Sequence, residues 1–219
     1  VPGDRLRGRA ASFRRFLDRS QMGLPDAFLA WVSFLGPEWR ESLLGRSENW
    51  GTEDYRQIWR RSEGSDLLDR LLDLTLRTYL LDDLLPKVDR MAMAHALEVR
   101  SPFLDHELVE FALRLPRSAR VRGLSRKRAL KAAAADLLPR EIQTRRKRGF
   151  GVPLDRWFRS DLRSYVEGTL GAPDARVRAH LAPEALDRML GEHQRGIANH
   201  GHALWTLLTL ELFLRREGW

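Results

Sequence analysis

Two lysines and their surroundings are the best-equipped chemical groups in this sequence of 219 residues. Lys147 lies in TRRKRGFGVP (144–153), flanked by Arg145, Arg146 and Arg148, with Gly149 and Gly151 leaving the backbone free to close over a ligand. Lysine is a compact point charge and arginine a bidentate fork, so such a loop suits an anion with several oxygens. Phe150 offers an apolar anchor for the loop. Lys127 falls in the first turn of a helix expected to open at Ser125, and a helix N-terminus adds its own preference for anions. Each lysine has a plainer alternative: an exposed basic loop for Lys147, a solvated surface lysine for Lys127.

The run LDDLLPKVDRMAMAHALEVRSPFLDH (81–106) sets Asp82, Asp83, Lys87, Asp89, Arg90, His95, Glu98, Arg100 and Asp105 among apolar residues. A surface helix gathers its charges onto one face. Here Leu84, Leu85, Val88, Met91, Met93, Ala96 and Leu97 occupy more than one stripe, which predicts that several charges are at least partly buried. Burial of an unpaired charge costs on the order of several kcal/mol, so such groups are paired or bind a ligand. Arg100 and Asp105 are expected to pin the Pro102 turn as an ion pair beside Glu98, a scaffold role preferred to a catalytic one. Lys87, Asp89 and Arg90 are expected to link helices through salt bridges. His200 and His202 form an HxH with nothing at zinc spacing to complete it, so no metal site is assigned.

The elements that must position these groups read as helices almost throughout, since apolar residues recur at helical spacing and period-two alternation is nearly absent. Helices are expected over 6–17, 26–34 (capped by Asp26), 37–44 (Pro37 in its first turn, Gly45 after it) and from Thr52 through Trp59. The leucine-rich 66–79 segment reads as a buried helix. It is expected to continue to about Leu97 with a kink or break near Pro86. Ser101-Pro102 forces an extended turn, Asp105 caps a helix ending at Pro116, and Ser125 caps another running to Leu138 before Pro139. Helices follow over 154–158, 160–170, 183–192 and 200–216. The seven Trp and nine Phe fall within apolar stripes, which favours a core role over base stacking.

Lys plus Arg exceed Asp plus Glu by eight, which fits phosphate-bearing partners and equally fits a coding bias towards arginine. Absence of cysteine excludes a disulfide framework, a thiolate metal site and a cysteine nucleophile. No GxSxG, HExxH or GxxxxGK[ST] is present, which argues against serine hydrolases, zincins and Walker-type ATPases. No apolar run reaches the roughly 20 residues of a membrane span. A soluble, cytoplasmic protein is expected.

Beyond these readings, YLLDDLLPKVDRMAMAHALEVRSPFLDHELVEFALRLP (79–116), SRKRALKAAAADLLPREI (125–142), RRKRGFGVPLDRWF (145–158) and LWTLLTLELFLRR (204–216) resemble the synthetase domain of glutamine-hydrolysing asparagine synthetases. The resemblance covers 66–216, with 1–65 similar to a variable helical segment preceding it, giving an expected division into 1–65 and 66–219. It implies a mainly α fold: the helical C-terminal portion of an α/β adenine-nucleotide α-hydrolase-like (PP-loop) domain whose parallel sheet lies largely upstream. It also implies adenylation of the aspartate side-chain carboxylate by ATP with Mg2+, and amide formation from glutamine-derived ammonia supplied by an N-terminal glutaminase domain.

By the same resemblance, Lys147 matches the lysine that contacts the phosphates during adenylation. Lys127, Lys87 and Arg146 fall on the phosphate and pyrophosphate side, and Asp89, Arg90, Glu98, Arg100 and Asp105 serve as site scaffold, the last three within ExRxPFxD. The family's SGGxDS loop and acidic SGEGxDE-type stretch are absent, so the chain is expected to be an inactive part of the domain, with apolar helix faces left exposed. Other amide-forming relatives, of the β-lactam synthetase or lasso-peptide cyclase type, share this chemistry. A basic helical nucleic-acid-binding domain is the alternative of another class. No nucleic-acid or membrane partner is expected, and homodimerisation is left open.

Overall fold

The protein is described by a computed structural model. The structure describes residues 17, 19–46, 52–62, 66–145 and 151–219. It divides into two compact units, Val1–Arg56 with Gly151–Trp219, and Gln57–Phe150. Both are mainly helical, and among the described residues the only strands are two of two residues each. Among the described residues, no helix is long and apolar enough to cross a membrane.

In the first unit, α1 (Leu24–Val32) and α2 (Pro37–Leu44) begin with proline near their N-termini, where a missing N–H costs no helical bond. Gly45 closes α2 at φ 66°, a conformation that glycine adopts without steric cost. Asp26 was expected to cap α1. Instead it lies in the first turn and accepts two hydrogen bonds, each 3.0 Å, from Arg56 in α3 (Thr52–Arg61). A bidentate guanidinium outcompetes a single backbone N–H for that carboxylate.

The second part of this unit holds α10 (Leu154–Trp157), α11 (Arg163–Leu170), a 3-10 turn (Arg176–Ala179), α12 (Pro183–Gln194) and α13 (Gly201–Glu217). Leu204, Leu207, Leu208 and Leu214 of α13 pack with Phe158, Val166, Leu170, Leu186, Met189 and Leu43 in one core. Gly201 starts α13 so close to α10 that a Cβ there would sit 2.9 Å from the Asp155 nitrogen.

The second unit follows a different plan. Asp66 caps α4 (Leu67–Thr75) through the Asp69 N–H at 3.0 Å. The chain then runs through a π-helical stretch (Leu76–Leu84) into α5 (Leu85–Met93), so that near Pro86, where a kink or break was expected, the helix is not broken. The Leu85 N–H reaches back to the Leu80 carbonyl. Such wider i→i+5 spacing carries the chain past a residue that has no donor.

Helix α5 ends at Met93, short of the expected Leu97, because Ala96 adopts φ 56°. The Leu97 N–H bonds the Ala92 carbonyl (3.0 Å) and the Ala96 N–H bonds the Met93 carbonyl (3.0 Å), a Schellman closure with alanine in the position usually held by glycine. A 3-10 turn (Pro102–Leu104), α6 (His106–Arg114), α7 (Arg117–Arg120), a hairpin of β1 (Val121–Arg122) and β2 (Ser125–Arg126), α8 (Arg128–Ala133) and α9 (Arg140–Thr144) complete the unit. Val121 pairs with Arg126 and Arg122 with Ser125 across Gly123-Leu124, where Gly123 takes φ 58°.

The expected burial of 66–79 holds for Leu74 and Thr78, while Leu67 is exposed. The aromatic residues depart further from the core reading: Trp31, Trp205, Trp219, Phe34, Phe103, Phe111 and Phe213 are exposed, and Phe158 is the fully buried ring among the described residues.

Candidate functional site

The candidate charges of 81–106 lie on the surface, which overturns the expected burial: Asp82, Asp83, Lys87, Asp89, Arg90, His95, Glu98, Arg100 and Asp105 are all exposed. Their apolar neighbours explain why. Met91, Met93, Leu97, Val99 and Phe103 (68% exposed) are themselves uncovered, so no apolar layer screens the charges. Lys87 bonds Asp83 one turn earlier, at 3.1 and 3.2 Å, inside its own helix and not across to another. Asp89 and Arg90 have no ion pair among the described residues, so the expected bridging network is not formed.

The ExRxPFxD turn is held differently from expectation. Arg100 pairs with Glu98, two residues away, while Asp105 caps α6 through the Leu108 N–H at 3.1 Å. The cap was legible in the sequence; the Arg100–Asp105 pair is absent. A carboxylate already accepting a backbone N–H at a helix start has a local partner that needs no long side chain to be immobilised.

Lys127 does not sit in the first turn of a helix opening at Ser125. Ser125 belongs to β2, Lys127 is the residue before α8, and its backbone is left-handed at φ 58° and ψ 39°. That conformation costs a non-glycine residue roughly 1–2 kcal/mol. Three connections hold the hairpin that presents it. Strands β1 and β2 pair, Arg128 donates through Nη1 to the Ser118 carbonyl, and Arg120 donates through Nη2 to Asp69 on α4.

The Arg120–Asp69 bridge was not read from the sequence, because nothing in a 51-residue separation marks the pair. The hairpin had a weak signal in Gly123 between two short runs. Residues 111–135 carry Arg114, Arg117, Arg120, Arg122, Arg126, Lys127, Arg128 and Lys131 and no Asp or Glu. A dense positive field of this kind attracts phosphate.

Lys147 and Arg146, with Arg148, Gly149 and Phe150, lie outside the described residues. Among the described candidates, no hydrogen bond or ion pair joins Lys127 to Lys87 or to the Glu98–Asp105 turn. No group of three or more His, Asp or Glu side chains among the described residues is placed to hold a metal.

A second polar cluster belongs to the other unit. His193 is fully buried on α12, and its Nδ1 accepts the His200 N–H at 3.1 Å, which puts the neutral ring's proton on Nε2. Nε2 has no partner at hydrogen-bonding geometry, although Asp155 lies near enough to raise the imidazole pKa slightly. Burial first, then the charges of Arg159 and His200, lower that pKa from 6.5 to about 4. Arg159 donates to the His193 and Ala198 carbonyls at 2.8 and 3.0 Å, and His200 Nε2 lies 2.7 Å from Glu192. The HxH of the sequence is thus divided: His200 faces Glu192 while His202 stacks on Phe34 at 4.8 Å.

Fold and site together describe a mainly helical chain with a basic hairpin suited to phosphate. The asparagine synthase family model matches residues 4–215, and the chain belongs to that family. It is 36% identical over 183 residues to a putative glutamine-hydrolysing asparagine synthetase of Mycobacterium tuberculosis H37Rv, covering 83% of this chain and 28% of the relative. Asparagine synthetase 1 of Bacillus subtilis is 26% identical over 198 residues, 89% of this chain and 31% of its own length. The hamster enzyme of Mesocricetus auratus is 40% identical over 97 residues, 41% of this chain and 17% of its own length. The chain therefore spans under a third of the length of these relatives. No solved structure matches.

Proposed function

We propose that this chain forms the helical part, over 66–219, of a synthetase domain in an ATP-dependent amide-forming ligase. In the complete protein that ligase activates the side-chain carboxylate of aspartate and gives it ammonia drawn from glutamine. Residues 1–65 form a variable helical lead. The observation that carries this reading is the family match over 4–215, which takes in Lys87, the ExRxPFxD turn, Lys127 and Lys147 together.

The roles follow from charge. Lys147 stabilises the negative charge that develops as pyrophosphate leaves, where a preorganised cation contributes most. Lys127, with no ion partner among the described residues and a locally fixed backbone, binds the pyrophosphate oxygens. Its left-handed conformation fits a lysine whose direction matters, since strain of this kind persists where the surrounding structure enforces it. Arg146 adds a bidentate contact to the phosphates. Lys87 exchanges its exposed partner Asp83 for a phosphate at little cost, because an exposed i,i+4 pair is worth only about 0.3–0.5 kcal/mol.

Glu98, Arg100 and Asp105 serve as scaffold for the surrounding turn, Asp105 by its helix cap and Glu98 with Arg100 as an ion pair. Asp89 and Arg90 are assigned to the same scaffold only by their place in the matched family segment. ATP supplies the leaving group. Its triphosphate suits the carboxylate-free basic hairpin, whereas no described residue is assigned to Mg2+.

The test is aspartate-dependent pyrophosphate release by the full-length protein with ATP, magnesium and glutamine. Lys147→Ala lowers the adenylation rate far more than it weakens ATP binding; an equal loss of both makes Lys147 a uniform binding residue. Release with a different carboxylate, and none with aspartate, moves the reading to another amide-forming member of the superfamily.

A further inference from the structure

We propose that a cavity in the first unit binds a small organic anion bearing a planar ring, of which an aromatic carboxylate is the simplest example. The cavity has a volume of about 840 Å3 and lies between α1, the starts of α2 and α3, and the start of α13. This volume is in the range of small-molecule sites. None of its lining residues is one of the lysines discussed above.

Charge defines one half of its chemistry. Arg40 lines the cavity with its Nε buried and without a hydrogen-bond partner, and no acidic group pairs with it among the described residues. Asp26, the carboxylate in the lining, is already taken by Arg56 in a bidentate pair. Glu192, the nearby acid of α12, is engaged by His200. Arg40 is thus a cation without compensation in a partly desolvated place, a costly arrangement that an anion relieves. Helices α2 and α13 both turn their N-terminal residues towards this space; the first N–H of α13, that of Gly201, is taken by Asn199 Oδ1 at 3.0 Å, while no side chain caps α2.

Rings define the other half. Phe34 stacks on His202 at 4.8 Å and 12°, and Trp39 meets His200 edge-on at 4.9 Å and 75°. Trp31 adds a third aromatic surface, one face of which carries the Arg19 guanidinium at 4.6 Å, as Arg188 lies over Trp39 at 4.6 Å. A planar ring can lie against these walls while its carboxylate meets the Arg40 fork, which places two planar donors against two oxygens. A purely apolar ligand would leave Arg40 uncompensated, and a bare inorganic anion would leave the rings uncovered.

The experiment titrates the full-chain protein with 1-naphthoate, followed by tryptophan emission and calorimetry, with naphthalene-1-methanol as the neutral counterpart. Saturable 1:1 binding of the acid is expected, weakened about tenfold or more by Arg40→Met, as loss of a charged hydrogen-bond partner implies. The alcohol is expected to bind parent and variant alike, more weakly than the acid binds the parent. Unchanged naphthoate affinity in Arg40→Met, an alcohol that matches the acid, or no saturable binding overturns the proposal.

Circular dichroism checks the fold of each protein. If Arg40→Met fails to fold, Phe34→Leu removes an exposed ring wall without touching a charge, and undiminished affinity there overturns the proposal equally. Lys127→Ala is expected to leave naphthoate binding unchanged. A loss in that variant assigns the binding to the phosphate site and overturns the proposal, independently of whether the ligase reading stands.

Discussion

The two units of this molecule use similar residues and reach opposite results. In Val1–Arg56 with Gly151–Trp219, leucines from α2, α10, α11, α12 and α13 close into one core, with Leu186, Leu204 and Phe158 fully buried. In Gln57–Phe150, Leu74 and Thr78 are the buried side chains among the described residues, while Met91, Leu97, Phe103, Phe111, Leu124 and Leu137 face outwards. Apolar content alone therefore does not determine burial. In the first unit α10, α11, α12 and the 3-10 turn fold back on α13, and α2 packs on α12, so these apolar stripes meet one another, while α1 buries no side chain. The second strings short elements along a continuous α4–π–α5 rod whose apolar residues occupy several faces at once.

Substitution of equivalent rings breaks or upholds this contrast most directly. Phe158→Ala removes a fully buried ring and is expected to destabilise the first unit by about 3–5 kcal/mol. Phe111→Ala removes a ring that is 60% exposed and is expected to change stability by no more than about 0.5 kcal/mol. Urea unfolding of both variants gives the comparison. A large loss from Phe111→Ala would show that the second unit is covered in solution, and the contrast between the units would fail.

Acid provides a test of the same core from its polar side. His193 has a pKa of about 4 in the folded protein, against 6.5 when free. The neutral ring is therefore preferred by the fold. Its contribution is complete above pH 6.5 and is lost as pH falls towards 4, by up to about 3 kcal/mol. Protonation also removes the Nδ1 lone pair that accepts the His200 N–H at the start of α13.

Glu211 acts in the same direction at lower pH. Burial alone would raise its pKa, but hydrogen bonds from Arg215 and from the Val177 and Arg176 backbone outweigh this and lower it below 4.5. His193→Gln, which keeps an acceptor and does not titrate, is expected to flatten the melting temperature between pH 6.5 and 4. An unchanged profile in that variant would remove His193 as the cause.

These contrasts also explain what the sequence could and could not reveal. Helix existence was legible nearly everywhere, and Pro37, Gly45 and Asp105 marked boundaries correctly because caps are local chemistry. The chain's family was legible too, from the order of charged residues through 79–158. Burial was not, because alternation of charge with apolar residues in 81–106 looks the same whether or not another layer covers it. The Asp69–Arg120 and Asp26–Arg56 pairs were invisible because they depend on tertiary approach across 51 and 30 residues. The left-handed backbone at Lys127 and Ala96 was invisible for a different reason: neither position carries the glycine or asparagine that normally announces it.

Ala96 therefore gives the smallest and sharpest test of the second unit. Its left-handed φ of 56° is enforced by the Schellman bonds that end α5. An alanine there bears a steric penalty of roughly 1–2 kcal/mol that glycine lacks, offset in part by the greater freedom glycine gives the unfolded chain, about 0.4–1 kcal/mol. Ala96→Gly is thus expected to stabilise the second unit by about 1 kcal/mol or less, read as a small rise in its urea midpoint. The same substitution at Ala92, whose backbone is helical in the last turn of α5, is expected to destabilise by up to about 0.5–1 kcal/mol, since glycine there has only the entropic penalty. Opposite signs four residues apart follow only if the chain leaves the helix at Ala96. Equal losses at both positions would mean that α5 continues towards Leu97, as its periodicity alone suggests, and would return the exposed charges around it to the face of a longer helix.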